Sequence, residues 1–382
     1  MANKSINKLI ISASVTDADM YYATRFFVPD PFIFAEIRGE KHVILSDLEI
    51  DRGRKTMEGI RIWSLTEIQN SLPVGKGKKR PGLGEVAAGF LKSHKVRKVC
   101  VPGNFPLFHA RIIESQNIRV EPVDGSLFPE RDIKSAEEIR WTRQALKMTE
   151  AGIQAGKDAL QRSVIGKGKY LMLDGARLTA EKLRAIIDGR ILELGGIAQD
   201  TIIACGNQGC DPHERGHGPL KANLPIIVDV FPRMTRTGYH GDITRTFVKG
   251  TPSDKVVAMH AAVYEAQMAS INSITDGVDT KVPHKAVCDV FEKHGFETSI
   301  NPETGTHQGF FHGTGHGLGL EVHEMPRMGR QSGDKLLSGH VVTVEPGLYY
   351  PGIGGVRLED VVVVTQGKPK NLVTFDKSLV VE

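Results

Sequence analysis

Short apolar runs separated by glycine- and proline-rich segments fill the first third of the chain. The pattern predicts strands in KLIISAS (8–14), PFIFAEI (31–37), KHVILSD (41–47), KVRKVCVPG (95–103) and IRVEPVD (118–124). Helical patterns occur between several of these strands. A chain in which strands alternate with helices favours an α/β domain.

Helical periodicity dominates several longer segments after residue 135. It predicts helices over 137–162, 179–194, 253–271 and 283–294. Ser135 and Glu138 form a capping box in front of the first of these helices, and Gly295 is a typical stop for the last. The change of pattern near Asp132 predicts two domains, an α/β domain over 1–132 and a second domain over 133–382.

The second domain also contains apolar strands that each carry one acidic residue. They are LPIIVDVF (224–231), GDITRTFVK (241–249), HVVTVEPGLYY (340–350) and GVRLEDVVVV (355–364). Together with the helices they predict helices packed on a largely antiparallel, strongly bent sheet, so the fold class of the whole chain is α+β.

Composition narrows the function classes. The chain has 382 residues and a net charge of +4. The basic run at 76–80 is typical of a solvated loop, and no basic stripe with interleaved aromatic residues indicates a nucleic-acid partner. No apolar stretch approaches the roughly 20 residues that cross a bilayer, and the N-terminal run is too short for a signal peptide. The four cysteines are scattered, which fits free thiols in the cytoplasm.

The acidic residues of the second domain stand where strands rarely place them. Asp229 and Glu345 each end an apolar run, Asp242 opens a strand, and Glu359 precedes four valines and an aspartate. One such acid could mark a strand end that faces solvent. Four of them beside a histidine cluster favour a pair of divalent ions, because buried carboxylates need a cation. Oxygen-rich ligands favour manganese, cobalt or iron over a thiolate zinc site.

The segment FFHGTGHGLGLEVHE (310–324) joins three histidines to alternating glycines. In an extended chain His316 lies an even number of residues from His312 and an odd number from His323, so all three cannot face one metal without a bend. The glycines predict a close approach of the backbone to the metals and a substrate. Arg357 and Glu359 are two residues apart, which predicts that this arginine orients the glutamate.

Four motifs resemble a known family. GYHGDITRTF, HGTGHGLGLEVHE, TVEPGLYYP and GVRLEDVVVV, in this order, resemble the pita-bread metallopeptidases, which include aminopeptidase P, prolidase and methionine aminopeptidase. The resemblance covers residues 205 to 365. The first 130 residues resemble the N-terminal domain of the creatinase, prolidase and aminopeptidase P branch, which methionine aminopeptidases lack. A pita-bread catalytic domain behind an α/β domain is therefore implied.

The resemblance also implies the ligands of two divalent metal ions. These are Asp229, Asp242, His316, Glu345 and Glu359, of which Asp242 and Glu359 would bridge both ions. Manganese is the first expectation, with cobalt, iron or zinc as alternatives. The spacing of thirteen residues between the two aspartates exceeds the family's usual eleven, which predicts a hairpin longer by two residues with unchanged strand facing.

Catalytic and substrate-binding roles are implied in the same way. Glu345 would take and pass the proton, while His323 and His213 would hold the substrate or the developing oxyanion. His312 would line the same cleft, and Arg357 matches the arginine beside the bridging glutamate. His217 is a rival to His213.

The implied function is hydrolysis of the peptide bond before proline, in dipeptides or short peptides, by a prolidase- or aminopeptidase P-type enzyme. A homodimer is implied as well. The alternatives are a non-catalytic pseudopeptidase, a methionine aminopeptidase and a creatinase-like amidinohydrolase. All five ligand types are present, which argues against the first and the last of these, and the N-terminal domain argues against the second.

Overall fold

A computed structural model describes residues 6–73, 79–302 and 305–382. The chain divides into two compact units, Met1–Arg131 and Asp132–Glu382. Of the basic run predicted as a solvated loop, residues 76–78 lie outside the described residues, and Lys79 and Arg80 are exposed. Within the described parts of the chain, no helix is long and apolar enough to cross a membrane.

The first unit is built around one mixed sheet. Its strands are β1 (Lys8–Ser12), β2 (Phe32–Ile37), β3 (Glu40–Leu45), β4 (Arg61–Ser64), β5 (Lys98–Pro102) and β6 (Arg119–Val123). Its helices are α1 (Ala18–Thr24), α2 (Ile50–Thr56), α3 (Leu65–Ser71), α4 (Leu83–Ser93) and α5 (Leu107–Glu114). The strand order is β4-β3-β2-β1-β5-β6. The five predicted strands are confirmed, whereas β4, which is short and only partly buried, was missed.

Both faces of this sheet are covered. Leu9 and Ile11 of β1 pack with Phe90 of α4, while Ile10 between them packs with Met20 of α1 on the opposite face. This is the alternation expected of a strand that is buried on both sides.

The first three helices of the second unit begin where their capping residues predict. The helices of this unit are α6 (Ala136–Arg162), α7 (Ala180–Glu193), α8 (Asp254–Ser273) and α9 (Lys281–Lys293). Ser135 and Glu138 form the predicted capping box of α6, and Thr179 caps α7. The last helix starts two residues before the predicted Pro283, because proline is tolerated in a first turn, whose amides have no partner within the helix.

Several small sheets in the second unit are built from short strands. These strands are β7 (Val164–Ile165), β8 (Leu171–Leu173), β9 (Ala176–Arg177), β10 (Gly196–Ile197), β11 (Ile202–Cys205), β12 (Ile226–Val230), β13 (Arg233–Met234), β14 (Ile243–Lys249), β15 (Ser299–Ile300), β16 (His307–Gln308), β17 (Gly315–Gly317), β18 (Glu324–Met328), β19 (Val341–Val344), β20 (Gly347–Tyr350), β21 (Gly354–Arg357), β22 (Asp360–Val363), β23 (Lys370–Asn371) and β24 (Val380–Val381).

Two of these sheets position the acidic residues. Their strand orders are β11-β12-β14-β24 and β18-β17-β19-β22-β23, and β20 pairs with β21 alone. The predicted antiparallel pairing is confirmed except between β14 and β24, which are parallel. One large buried cluster lies where α6 packs on β12 and β14 and α7 packs on α6 and β11, with Leu146, Ile187, Val228 and Phe247 among its members.

Two predicted long strands are each broken at an acidic residue. The segment 340–350 divides into β19 and β20 around Glu345, and the segment 355–364 divides into β21 and β22 around Glu359. The prediction of continuous strands was therefore wrong. Pro346 has no amide hydrogen to continue a ladder, and at both breaks the chain passes from one sheet to another. The two glutamates consequently lie at neighbouring crossing points.

Candidate active site

Asp229 and Asp242 lie on one face of the hairpin formed by β12 and β14. Asp229 pairs with Thr244 across the hairpin, and Asp242 precedes Thr244 by two residues. Because side chains alternate with a period of two, both acids face the same way. Both are buried, with 8% and 3% of their surface exposed. The length of the loop between them leaves this facing intact.

His316 lies in β17 and turns one ring nitrogen toward two acids. Its Nε2 atom is 3.4 Å from Glu345 Oε1 and 3.8 Å from Asp242 Oδ2. Its Nδ1 atom is 3.0 Å from the carbonyl oxygen of Gly317, which only accepts, so Nδ1 carries the hydrogen. Burial, and next the neighbouring His323, lower the pKa of His316 to about 3. The ring is therefore neutral, the form that binds metals.

Glu345 and Glu359 complete the cluster from the two strand breaks. Glu359 is 2% exposed, and its Oε2 atom accepts a hydrogen bond of 2.8 Å from the Thr244 hydroxyl. The Glu345 side chain keeps 21% of its surface exposed. Burial and the neighbouring carboxylates raise the pKa of Asp242 and Glu359 well above their usual ranges. Burial and the charge of Asp229 raise the pKa of Glu345 to about 7.

This donor set fits divalent metal ions. Asp242, His316 and Glu359 each offer one ligand atom, and these atoms all lie within 4.8 Å of one another. Asp229 Oδ1 is buried without a hydrogen-bond donor among the described residues. A buried, unpaired carboxylate oxygen beside mutually repelling acids is unfavourable unless a cation neutralises it. Oxygen atoms with one imidazole nitrogen suit manganese, iron or cobalt.

Arg357 binds a different acid from the one expected. Its Nη2 atom donates to Asp229 Oδ2 over 2.7 Å, and its Nη1 atom donates to the Tyr349 hydroxyl over 3.0 Å. Its charge lowers the pKa of Glu359, but within the described residues its side chain donates no hydrogen bond to that glutamate. The spacing of two residues predicted that Arg357 and Glu359 share a strand face. Strand β21 ends at Arg357, so strand alternation does not extend to Glu359.

His312 joins this network through the tyrosine. Its Nδ1 atom lies 2.7 Å from the carbonyl oxygen of Gly313, so that nitrogen donates and Nε2 accepts from the Tyr349 hydroxyl over 2.9 Å. Burial and the charge of Arg357 lower the pKa of His312 to about 3. The neutral imidazole is therefore tied through Tyr349 and Arg357 to Asp229.

His323 stands beside the ligand cluster on its exposed side. Its ring lies edge-to-face with that of His316, with centroids 4.5 Å apart. Burial, Arg327 and then His213 lower its pKa. Arg327 is exposed on β18, and its charge also lowers the pKa of Glu345. The accessible side of the cluster therefore presents an imidazole and a guanidinium.

His213 and His217 differ in what surrounds them. His213 is exposed, and its charge lowers the pKa of both His312 and His323. Its imidazole therefore lies within electrostatic reach of two residues of the site. The His217 side chain is 74% exposed and lies against Gln208. This electrostatic proximity supports His213 over its rival.

The alternating glycines at 313–319 make room for neighbouring strands. A Cβ atom on Gly315 would meet the carbonyl oxygen of Thr343, and one on Gly317 would meet that of Met325. These contacts are with the main chain of the flanking sheet. Strand packing therefore accounts for the glycines at these two positions, and the expected approach of this segment to metals and substrate stays a prediction.

Three residues of the site were missed in the sequence. Thr244 had a usable signal, because it follows Asp242 by two residues in the same segment. Tyr349 follows Glu345 by four residues, but the strand break at Glu345 removes the meaning of that spacing. Arg327 follows His323 by four residues, a spacing that predicts nothing in an irregular segment.

Comparison with known proteins finds related peptidases. The model of metallopeptidase family M24 matches residues 140–366. An Xaa-Pro dipeptidase of Pyrococcus horikoshii is 28% identical over 327 residues, which are 83% of this chain and 83% of the relative.

Solved structures show the same fold. An Xaa-Pro dipeptidase from Bacillus anthracis superposes with a TM-score of 0.81 at 23% identity, over 98% of this chain and 94% of that one. An X-Pro aminopeptidase from Thermotoga maritima superposes with a TM-score of 0.80 at 23% identity, over 98% and 97%. The predicted α+β pita-bread fold is confirmed.

Proposed function

This chain belongs to metallopeptidase family M24, and we propose that it hydrolyses the peptide bond before proline in dipeptides or short peptides, using two divalent metal ions. Membership of the family confirms the prediction of a peptidase. One observation carries the rest of the proposal. Ligand atoms of Asp242, His316 and Glu359, which are far apart in sequence, lie within 4.8 Å of one another, and Asp229, whose charge acts on Asp242, has a buried carboxylate oxygen without a donor among the described residues.

The proposed ligands are Asp229, Asp242, His316, Glu345 and Glu359. Asp242 and Glu359 would bridge the two ions, since both are buried and each feels the charges of the other acids. When bound, the ions supply Lewis-acid activation of a water molecule and of the scissile carbonyl. Manganese is the proposed metal, because oxygen atoms dominate the ligand set.

Glu345 is the proposed proton acceptor and donor. Its side chain is 21% exposed and adjoins His316 over 3.4 Å, so water and substrate reach it from the open side of the cluster. The fully buried Glu359 has no such access. A carboxylate at this position would take the proton of the attacking water and return it to the leaving amine.

His323 and His213 are the proposed hydrogen-bond donors to the substrate. His323 lies beside the ligand imidazole of His316 on the exposed side of the site. Removing one preorganised oxyanion donor slows catalysis by about 10²–10³. His312 would line the cleft, with its ring orientation held by Tyr349.

Selectivity for proline rests on the relatives and on the chemistry of the bond. The relatives of Pyrococcus horikoshii and Pyrococcus furiosus are Xaa-Pro dipeptidases. A bond to proline has no N–H, so a site that accepts it must recognise other groups. Arg327 would bind the free carboxylate of a dipeptide, because it is exposed next to His323 and has no ion-pair partner among the described residues. We therefore propose that dipeptides are the preferred substrates.

One experiment tests the proposed function. Purified protein is assayed for metal by elemental analysis and for turnover, with manganese added, on Xaa-Pro dipeptides, Xaa-Pro tripeptides, Met-Ala peptides and creatine. Turnover of Xaa-Pro substrates that a chelator abolishes supports the proposal. Turnover of Met-Ala peptides or of creatine alone would assign a rival activity, and metal binding without any turnover would assign a pseudopeptidase.

We propose a cytoplasmic homodimer with domains at 1–132 and 133–382, supported by the resemblance of the first 130 residues to an N-terminal domain that makes dimer contacts. No nucleic-acid or membrane partner is proposed. Light scattering coupled to gel filtration measures the assembly, and a monomer at micromolar concentration would contradict the dimer.

A further inference from the structure

Arg245 is a buried arginine that the proposed chemistry does not use. It is 1% exposed and lies in β14 between Thr244 and Thr246. Strand alternation turns its side chain to the face opposite the two threonines. A guanidinium group is retained in a core when all its donors are paired.

All five N–H groups of Arg245 have acceptors. Nη1 donates to the carbonyl oxygens of Glu359 over 2.6 Å and Thr244 over 2.9 Å. Nη2 donates to Asp360 Oδ1 and to the carbonyl oxygen of Phe375, each over 2.9 Å, and Nε donates to the carbonyl oxygen of Asp376 over 2.9 Å.

These bonds join the main chain of Glu359 to two other parts of the fold. The Glu359 amide donates to the carbonyl oxygen of Thr244 over 3.0 Å, the same oxygen that Arg245 binds. The Glu359 carboxylate accepts from the Thr244 hydroxyl. Thus the amide, the carbonyl and the carboxylate of Glu359 are all held by two consecutive residues.

The C-terminal segment is held by the same arginine. Besides the bonds of Arg245 to Phe375 and Asp376, Lys377 Nζ lies 2.6 Å from Asp360 Oδ2. Asp360 therefore lies between two cations, with 1% of its side chain exposed. The segment 375–377 and the residue after Glu359 share one buried charge network.

We propose that Arg245 is a positioning residue of the metal centre, which fixes the main chain of Glu359 and couples it to the C-terminal segment 375–377. The inference rests on the proposed role of Glu359 as a metal ligand. Groups that orient a ligand without touching the metal commonly change metal affinity by about 10- to 100-fold when mutated. Lysine cannot replace this arginine, because one ammonium has three donors and no planar fork.

The test compares Arg245→Lys with Lys377→Met. Arg245→Lys keeps a positive charge near Asp360 but loses the paired bonds to the carbonyls of Glu359 and Thr244. Lys377→Met removes a cation from the same Asp360 and leaves every contact of Arg245 in place. Thermal unfolding of each full-length protein is measured without metal and with a fixed excess of manganese, and cobalt affinity is measured from its visible spectrum.

A positioning role and a purely structural role give different results. The increase in stability produced by bound metal depends on the metal dissociation constant. We expect Arg245→Lys to weaken metal binding by about 10- to 100-fold and to reduce this increase, whereas Lys377→Met lowers metal-free stability only. If Arg245→Lys lowers metal-free stability but keeps the wild-type cobalt affinity and spectrum, the inference is overturned.

A second measurement does not depend on the variant folding. Amide hydrogen exchange is followed in the wild-type protein with and without manganese. Because coupling is reciprocal, metal should slow exchange both in 355–361 and in 374–378. Slower exchange in the first segment with no change in the second would overturn the coupling. A wild-type protein that binds no metal would contradict the proposed function itself, which separates the two failures.

Discussion

Replacing Thr244 with valine should weaken metal binding while leaving the fold intact. Threonine and valine have nearly the same shape, and Thr244 is fully buried. The change removes one hydroxyl, which donates to Glu359 Oε2 over 2.8 Å and accepts from Arg357 Nε over 3.4 Å. Glu359 would keep its main-chain bonds and lose the donor that holds its carboxylate.

The size of the effect follows from the kind of bond. A hydrogen bond to a charged group contributes about 1.5–3 kcal/mol, and every 1.4 kcal/mol is about a tenfold change in affinity. The Thr244 bond is shielded from water, so an upper limit of about 100-fold applies. Part of this free energy is also lost in the metal-free protein, so we expect the metal dissociation constant to rise by about tenfold.

Thr246→Val is the matched control. Thr246 lies on the same strand and the same face, is 1% exposed, and bonds the main-chain amide and carbonyl of Arg357 over 3.0 Å each. Those neutral bonds exist with or without metal, so only the free energy of unfolding should fall. Calorimetric titration with manganese measures both variants. Equal metal affinities for Thr244→Val and Thr246→Val would refute the reasoning.

Three further predictions concern the site and its surroundings. His323→Ala should lower kcat by about 10²–10³ while His217→Ala keeps wild-type kinetics, and the reverse pattern would reassign the histidines. Lys134→Met should lower the free energy of unfolding in urea by about 3 kcal/mol, because it removes the buried ammonium that lies 2.7 Å from the buried Glu324 carboxylate. A loss below about 1 kcal/mol would contradict this, since it falls outside the range for a broken buried pair. Glu181 accepts a main-chain amide, which with other hydrogen bonds lowers its pKa from 4.5 to about 2. Its stabilisation should therefore be complete above pH 4.5 and disappear toward pH 2, so the difference in unfolding free energy between wild type and Glu181→Gln should shrink as the pH falls, and a difference independent of pH over this range would be inconsistent with that role.

Local signals predicted the helices well. The capping box of Ser135 and Glu138 and the caps at Thr179 and Ser253 mark helix starts that the structure confirms. Each cap is an interaction between residues three positions apart, so the sequence alone contains everything needed to form it.

The sequence also indicated which acids are candidate ligands, but it did not predict how they are arranged in space. Acids in apolar strands stand out because burial is unfavourable for them, and this predicted Asp229 and Asp242 as candidates. Glu345 and Glu359 were placed in continuous strands, whereas the structure breaks both strands there. A break where the chain changes sheets depends on which strands pair, and that is a property of the whole unit.

The sequence by itself determined the family resemblance, the candidate ligands and the local helix and strand signals, because these depend on residue types and short spacings. Only the tertiary structure decided which groups meet. Arg357 reaches Asp229 across 128 residues, and Thr244 reaches Glu359 across 115. Such contacts follow from sheet register and strand crossing, which no short window of sequence contains.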